Sequence, residues 1–312
     1  MRPILCLSFC LALLAAPLAA EEIQITRPDV LLQGTYLTPQ SAEAVALILP
    51  GSGPTDRHGN SAQGLSTDAY RLLAKALEPQ GIATIRADKR GIGQSTGDAN
   101  AVTLALYAQD AAPWIDLAKE RSGLACIWLI GHSEGGLVAL ELAQVRDDIC
   151  GLILLAAPGR PVSQILLEQL RGVPALAPHQ QALEKAMVSL IAGTPVPPDA
   201  LPGPLINVFA PLVQPFLMDL FAVAPAEQAR DIDLPVLVVQ GTADLQITEG
   251  DARALADAFP LGTLYLVDRM THTLKSTKDD TRQANLVTYS DPALPLAPGL
   301  AEKIGAFILG QR

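Results

Sequence analysis

Short apolar runs recur along the chain at 44–49, 82–86, 126–130, 149–155, 235–240 and 263–267, and longer amphipathic stretches separate them. This alternation constrains the fold more than any other feature. Helical patterns occupy 68–77, 102–120, 134–146 and 251–259, and a closing helix runs from about 299 to 309. Two shorter strand-like runs, 23–26 and 30–38, come first. Strand and helix in alternation imply a mostly parallel sheet, because parallel neighbours need crossover connections, and these pack as helices on both faces. Sheets of this kind carry their chemistry beyond the carboxyl ends of the strands.

Between 159 and 232 the pattern breaks. Prolines at 161, 174, 178, 195, 197, 198, 202, 204, 211, 215 and 225 punctuate short helical stretches such as 163–170 and 180–191, and no strand pattern is evident. The expectation is a helical cap inserted over the carboxyl edge of the sheet. It divides the core into 21–158 and 233–312; a proline-rich linker to a small separate domain is the alternative.

The 312 residues are 49% hydrophobic and 17% charged, enough apolar side chain to bury a large core. A formal charge of −10 without any basic block makes nucleic acid an improbable partner. At the start, Arg2, an apolar stretch from Ile4 to Ala16, then Pro17, Ala19 and Ala20 before Glu21 have the layout of a cleaved signal peptide over 1–20. The expectation is export, periplasmic or secreted, with no stable membrane insertion after cleavage. Two cysteines then remain, Cys126 and Cys150, each directly before an apolar strand-like run. If those strands are neighbours, both sulfurs lie at the same end of the sheet. An oxidising compartment permits a disulfide there, and two buried free thiols are the other possibility.

The run Ile127-Trp128-Leu129-Ile130-Gly131-His132-Ser133-Glu134-Gly135 places G-x-S-x-G between an apolar strand and a helical pattern. A nucleophilic serine needs that placement, on a strained strand-to-helix turn whose flanks have no room for side chains. A second match, Gly93-Gln94-Ser95-Thr96-Gly97, is cut off from its strand by a loop and precedes no helix. Ser133 is therefore the candidate nucleophile. Asp244 falls just beyond the strand at 235–240 and His272 in the loop after 263–267, giving the order Ser, Asp, His. In that arrangement the histidine removes the serine proton and returns it to the leaving group, while the aspartate fixes the imidazole tautomer.

The chain has only four histidines. His132 should point away from its neighbour Ser133, His58 sits in a polar loop and His179 in the cap. Of the rival acids, Asp251 reads as a helix start and Asp268 lies too close to His272 in sequence. A tetrahedral oxyanion needs two fixed donors. The backbone N–H of Glu134 supplies one, and the loop Pro50-Gly51-Ser52-Gly53-Pro54 is placed to supply the other from Ser52 or Gly53. No two histidines show metal-site spacing.

With Gly-His-Ser-Glu-Gly-Gly, Gly-Thr-Ala-Asp and Thr-His-Thr-Leu-Lys in that order, the chain resembles the α/β-hydrolase superfamily. More closely, the loop from Pro50 to Asn60 and the segment Asp88-Lys89-Arg90-Gly91-Ile92-Gly93-Gln94-Ser95 resemble bacterial serine esterases of the serine-aminopeptidase-like branch. His58 and Thr271 depart from that pattern. The resemblance implies an eight-stranded, mostly parallel α/β-hydrolase sheet with a helical cap, no cofactor or metal, and a small-molecule ester as substrate. It also implies structural roles for Ser95 and for Asp56, Arg57 and Asn60 in tying down the long loop. A serine peptidase acting on short peptides is the second reading, although the sequence shows no acid to hold a substrate N-terminus; a non-catalytic binding protein is the third. Leu166, Leu167, Met187, Phe209, Phe216, Leu217, Met218 and Phe221 either line an acyl pocket for short to medium chains or pack the cap.

Overall fold

The computed structural model describes residues 20–279 and 281–311. The expected signal segment, up to residue 19, lies outside the described residues. The chain opens with β1 (Glu21–Thr26), β2 (Leu31–Leu37) and β3 (Ala44–Leu49), followed by a small ribbon of β4 (Asn60–Ser61) and β5 (Leu65–Ser66). Next come α1 (Ala69–Leu77), β6 (Ile82–Ala87), α2 (Leu104–Ser122), β7 (Ile127–His132), α3 (Glu134–Val145) and β8 (Ile149–Leu155). A helical segment follows, with α4 (Val162–Arg171), α5 (Gln180–Ile191), α6 (Gly203–Ile206), α7 (Gln214–Phe221) and α8 (Pro225–Ala229). The chain closes with β9 (Val236–Gly241), α9 (Glu249–Ala258), β10 (Gly262–Val267), α10 (Arg282–Val287) and α11 (Leu300–Gly310).

Eight strands form one sheet in the order β1-β2-β6-β3-β7-β8-β9-β10. The β1–β2 and β2–β6 pairs are antiparallel and the remaining neighbours parallel. All eight arise where the apolar runs predict them. Successive side chains on a strand point to opposite faces, and the two sheet faces divide accordingly. Leu47, Leu129, Leu154 and Val238 pack with α2, α3 and α9. Ile48, Ile130, Ile153 and Val239 pack with α1 and α11. β3, β7 and β9 are buried along their whole length, as strands covered on both faces must be.

Three features lie outside the sequence expectation. β7 runs on through Gly131 and His132, because both stay paired with Leu154 and Leu155 of β8. The β4–β5 ribbon and α10 have no apolar periodicity, since each is held by loop hydrogen bonds and buries little. Between β8 and β9 the chain is helical, as expected, and has its own apolar cluster around Leu183, Leu190, Leu205, Phe209 and Phe221. It is bonded to the rest of the molecule, with the Leu104 N–H donating to Asp219 Oδ2 at 2.7 Å and Gln169 Nε2 donating to the Gln246 carbonyl at 2.9 Å.

Cys126 and Cys150 are joined in a disulfide. β7 and β8 are neighbouring parallel strands, so both cysteines fall at the amino end of the sheet. Among the described residues no helix is long and apolar enough to cross a membrane.

Candidate active site

The turn from β7 into α3 forces Ser133 to φ 52°, ψ −121°, a strained backbone for a residue with a side chain. A Cβ at residue 131 would sit 2.4 Å from the Gly135 carbonyl oxygen, and one at residue 135 would sit 2.2 Å from that of Leu49. Glycine is the one residue that fits either place, which explains the spacing of the motif. The Ser133 N–H donates to the Leu155 carbonyl at 2.9 Å, and this bond fastens the elbow to the sheet.

Asp244 follows β9, with its side chain fully buried. Its Oδ1 accepts the N–H groups of Gln246 and Ile247 at 2.7 and 3.1 Å, and its Oδ2 accepts His272 Nδ1–H at 2.9 Å and Gln240 Nε2–H at 3.2 Å. Burial pushes this carboxyl up. The adjacent His272 ring, its hydrogen bond and the two backbone N–H groups act in the other direction and hold it below the usual carboxylate value. An ionised Asp244 is an acceptor only, so the proton of neutral His272 resides on Nδ1 and the Nε2 lone pair is free. His272 and Ser133 both face a cavity of about 130 Å³.

His132 is buried and fully engaged, on the wall of the same cavity as Ser133 and His272. Its Nε2 bonds the His272 carbonyl at 2.8 Å, and its Nδ1 bonds Tyr70 Oη at 2.8 Å. A carbonyl only accepts, so Nε2 carries the proton and Tyr70 donates to Nδ1. Tyr70 Oη in turn accepts the Gly51 N–H at 2.9 Å. One directed chain thus runs from the loop after β3, through the residue before the nucleophile, to the loop bearing the base. Burial, with the nearby His272 ring assisting, lowers the His132 pKa to about 3, so it stays neutral. Burial also raises the Tyr70 hydroxyl well above its usual value.

Ser52 and Gly53 line a larger cavity, about 550 Å³, together with Ser133 and Glu134. Nothing among the described residues accepts from the backbone N–H of Ser52 or Glu134. The long loop is tied down by the groups expected to do so. Asp56 accepts the N–H groups of His58 and Asn60, Asn60 Oδ1 accepts those of Thr67 and Asp68, and Arg57 bonds Asp88 through its backbone N–H and guanidinium. Ser95 is buried, with its hydroxyl donating to the Asp88 carbonyl and accepting the Gln33 N–H. It lines neither cavity beside Ser133.

His58 pairs with Arg86, Asp251 caps α9 through Thr248 and bonds Arg160, and Asp268 is exposed. Of the eight apolar residues that the sequence singled out at 159–232, Leu166, Phe216 and Leu217 line the larger cavity, joined there by others of the segment such as Val162, Ile165 and Leu220. Met187, Phe209 and Phe221 pack inside the helical segment, with Leu167 and Met218 against them. Sequence reasoning missed Tyr70, and it met Lys89 only as part of the Asp88–Ser95 segment without a role; the Lys89 Nζ donates to the Gly51 carbonyl at 2.7 Å. Tyr70 lies 62 residues from His132 and Lys89 lies 38 from Gly51, and no local pattern spans such distances.

The sheet order, the strained serine elbow and the Asp–His pair after the last two strands define an α/β-hydrolase. Residues 63–279 match the model of the serine aminopeptidase S33 family, and the chain belongs to that family. The matched stretch includes Ser133, Asp244 and His272 and begins after the Pro50–Pro54 loop. The chain is 25% identical over 206 residues to Esterase EstD of Thermotoga maritima, covering 66% of this chain and 47% of that protein, so the match spans about half the relative's length. Among solved structures it is similar to Est1E from Butyrivibrio proteoclasticus with ferulic acid bound (21% identity, TM-score 0.56, 93% of this chain and 98% of that one). It is also similar to a proline iminopeptidase from Mycobacterium smegmatis (16% identity, TM-score 0.58, 93% and 98%).

Proposed function

We propose that the protein is an exported serine hydrolase of carboxylic esters, working through Ser133, His272 and Asp244 and an acyl-enzyme intermediate. The observation that carries this reading is the buried Asp244–His272 pair facing the same cavity as a serine held on a strained elbow. His272 Nε2 takes the Ser133 proton as the hydroxyl attacks the ester carbonyl. The Ser52 and Glu134 N–H groups, with Gly53 beside them, stabilise the oxyanion. His272 then protonates the departing alkoxide, and water resolves the acyl-enzyme with His272 as base.

The two cavities meeting at Ser133 support one direction for the substrate. His272 lines the smaller one and not the larger. The leaving alcohol has to meet the His272 proton, so it occupies the smaller chamber, where Thr55, Thr67, Thr273 and Tyr289 favour a compact, polar group. The acyl group enters the larger chamber among Val162, Ile165, Leu166, Phe216, Leu217 and Leu220, under the helical segment acting as a cap. Its volume of about 550 Å³ suits a short to medium acyl chain.

The peptidase alternative requires a carboxylate for the substrate's N-terminal ammonium. Among the described residues the one carboxylate on either chamber wall is Glu134, and it is engaged by Lys89 at 3.5 Å. Export is supported by the layout of residues 1–20 and by the disulfide, a bond of oxidising compartments.

The test is intact mass after fluorophosphonate treatment of wild type, Ser133→Ala and Ser95→Ala, beside turnover of p-nitrophenyl esters and aminoacyl p-nitroanilides. One adduct, absent only from Ser133→Ala, with ester turnover far above anilide turnover, is the expected result. A folded wild type that takes no adduct would overturn the reading.

A further inference from the structure

We infer that Lys89 is a positioning residue of the oxyanion site: its ammonium grips the carbonyl of the Gly51–Ser52 peptide and so aims and polarises the N–H that stabilises the oxyanion. This rests on the serine-esterase reading above. Lys89 follows the end of β6 by two residues, and its side chain is 8% exposed. Its Nζ donates to the Gly51 carbonyl at 2.7 Å, lies 3.5 Å from Glu134 Oε1, and stands 5.2 Å from the centroid of the Tyr107 ring.

The direction of the donor follows from peptide geometry. No cis peptide bond occurs among the described residues, and in a planar trans peptide the C=O and N–H point to opposite sides. Lys89 borders neither chamber beside Ser133, whereas Ser52 borders both. Drawing the Gly51 oxygen back toward Lys89 therefore turns the Ser52 N–H forward, to the side where the nucleophile is. Gly51 itself lies against the elbow, with the site of its missing Cβ 3.3 Å from Ser133 Cβ. The Gly51 N–H, part of the preceding peptide, donates to Tyr70 Oη, so one side of Gly51 is anchored; the Gly51–Ser52 peptide itself is held by Lys89 and cannot rotate without breaking that buried bond.

A neutral donor would suffice to hold the carbonyl, so the charge calls for its own explanation. Lys89 and Glu134 share a small pocket with Leu32, Leu47, Leu49, Trp114 and Val138, and its other charged groups are engaged elsewhere, Asp110 with Arg90 and Asp88 with Arg57, so a buried ammonium without work to do is costly there. A cation bonded to an amide oxygen withdraws electron density from the amide and strengthens its N–H as a donor. It also offsets the buried carboxylate of Glu134, whose Oε2 has no hydrogen-bond partner and whose own backbone N–H is the other candidate oxyanion donor. Burial lowers the Lys89 pKa, and the facing Glu134 carboxylate opposes that shift.

The experiment compares wild type, Lys89→Met, Lys89→Arg and the double variant Lys89→Met/Glu134→Gln, which leaves no unpaired buried charge and guards against a folding defect. Steady-state kinetics on p-nitrophenyl butyrate are read beside the affinity for an alkyl trifluoromethyl ketone, whose hemiketal oxygen occupies the oxyanion position. Lys89→Met is expected to lose about 100-fold in kcat with KM within about 2-fold, and to lose ketone affinity by a similar factor. Lys89→Arg should recover part of both, and the double variant should stay as slow as Lys89→Met. Turnover of Lys89→Met within about 3-fold of wild type would overturn the inference, as would a double variant restored to the wild-type rate, since that would trace the loss to the stranded Glu134 charge. Fluorophosphonate labelling separates the two levels. An unlabelled wild type overturns the esterase reading, whereas a labelled wild type with an equally fast Lys89→Met overturns the role of Lys89 alone.

Discussion

Asp244 shows how much chemistry depends on which group carries a proton. Its ionised carboxylate requires the N–H of His272 to face it, and Asn in its place would offer an amide N–H to the same ring nitrogen, reversing the tautomer and occupying the Nε2 lone pair. Asp244→Asn is expected to lower kcat by about 10³- to 10⁴-fold with little change in fold, checked by ester turnover and circular dichroism. His132 makes a prediction about stability. In the native protein it takes a proton only near pH 3, against about 6.5 when unfolded, so between those values the unfolded chain binds a proton that the native one does not. Its contribution is fully present above about pH 6.5 and is lost as pH falls, at a slope approaching about 1.4 kcal/mol per pH unit. Urea unfolding at pH 6.5 and pH 5 should show a loss about 2 kcal/mol greater in wild type than in His132→Gln, whose amide can still donate to the His272 carbonyl and accept from Tyr70. Equal losses would remove His132 as the cause.

At the scale of elements, six apolar runs and two shorter strand-like ones located the eight strands of the sheet, most clearly for β3, β7 and β9, because a strand buried on both faces has few ways to satisfy its surroundings. Helix α2 was legible despite Pro113 in its interior, and the structure shows how it tolerates that residue. Pro113 has no N–H for the Gln109 carbonyl, and Arg27 Nη1 donates to that carbonyl instead at 2.9 Å. The β4–β5 ribbon and α10 left no such signature, since backbone and side-chain hydrogen bonds rather than an apolar face hold them. The Cys126–Cys150 bridge sits at the amino end of β7 and β8, and Ser133 leaves the carboxyl end of β7. Cys126→Ser with Cys150→Ser should therefore lower unfolding free energy by about 3 kcal/mol in the chain-entropy model while leaving ester turnover within about 2-fold. Urea titration and p-nitrophenyl ester kinetics on the same sample check both halves.

Over the whole molecule, the larger cavity beside Ser133 lies where the helical segment meets the core. Leu166 and Leu217 come from that segment, Leu137 and Ser133 from the core, and together they wall a space that neither part has alone. Leu166→Trp should fill the acyl end of this space. The expected outcome is a kcat/KM for p-nitrophenyl octanoate lowered about 10-fold or more, with the acetate ester changed little. A uniform loss across the ester series would place Leu166 outside the acyl path. The apolar residues at 159–232 were all visible in sequence, yet which of them face the chamber and which pack inside the segment depended on how its helices turn against the core.

The sequence by itself determined the alternating strands and helices, the serine elbow and the order Ser133, Asp244, His272. Strands, helices and elbow are each written within a short window, where steric demands such as those at Gly131 and Gly135 leave a local mark, whereas the meeting of Cys126 and Cys150 waited on the pairing of β7 with β8. Tertiary structure alone decided what surrounds the candidate oxyanion peptide. Tyr70, Lys89, His132 and Gly51 come from separate elements, and their hydrogen bonds depend on sheet order and strand register. A buried polar group must find a partner wherever the fold brings one within about 3 Å, and that choice has no period along the chain.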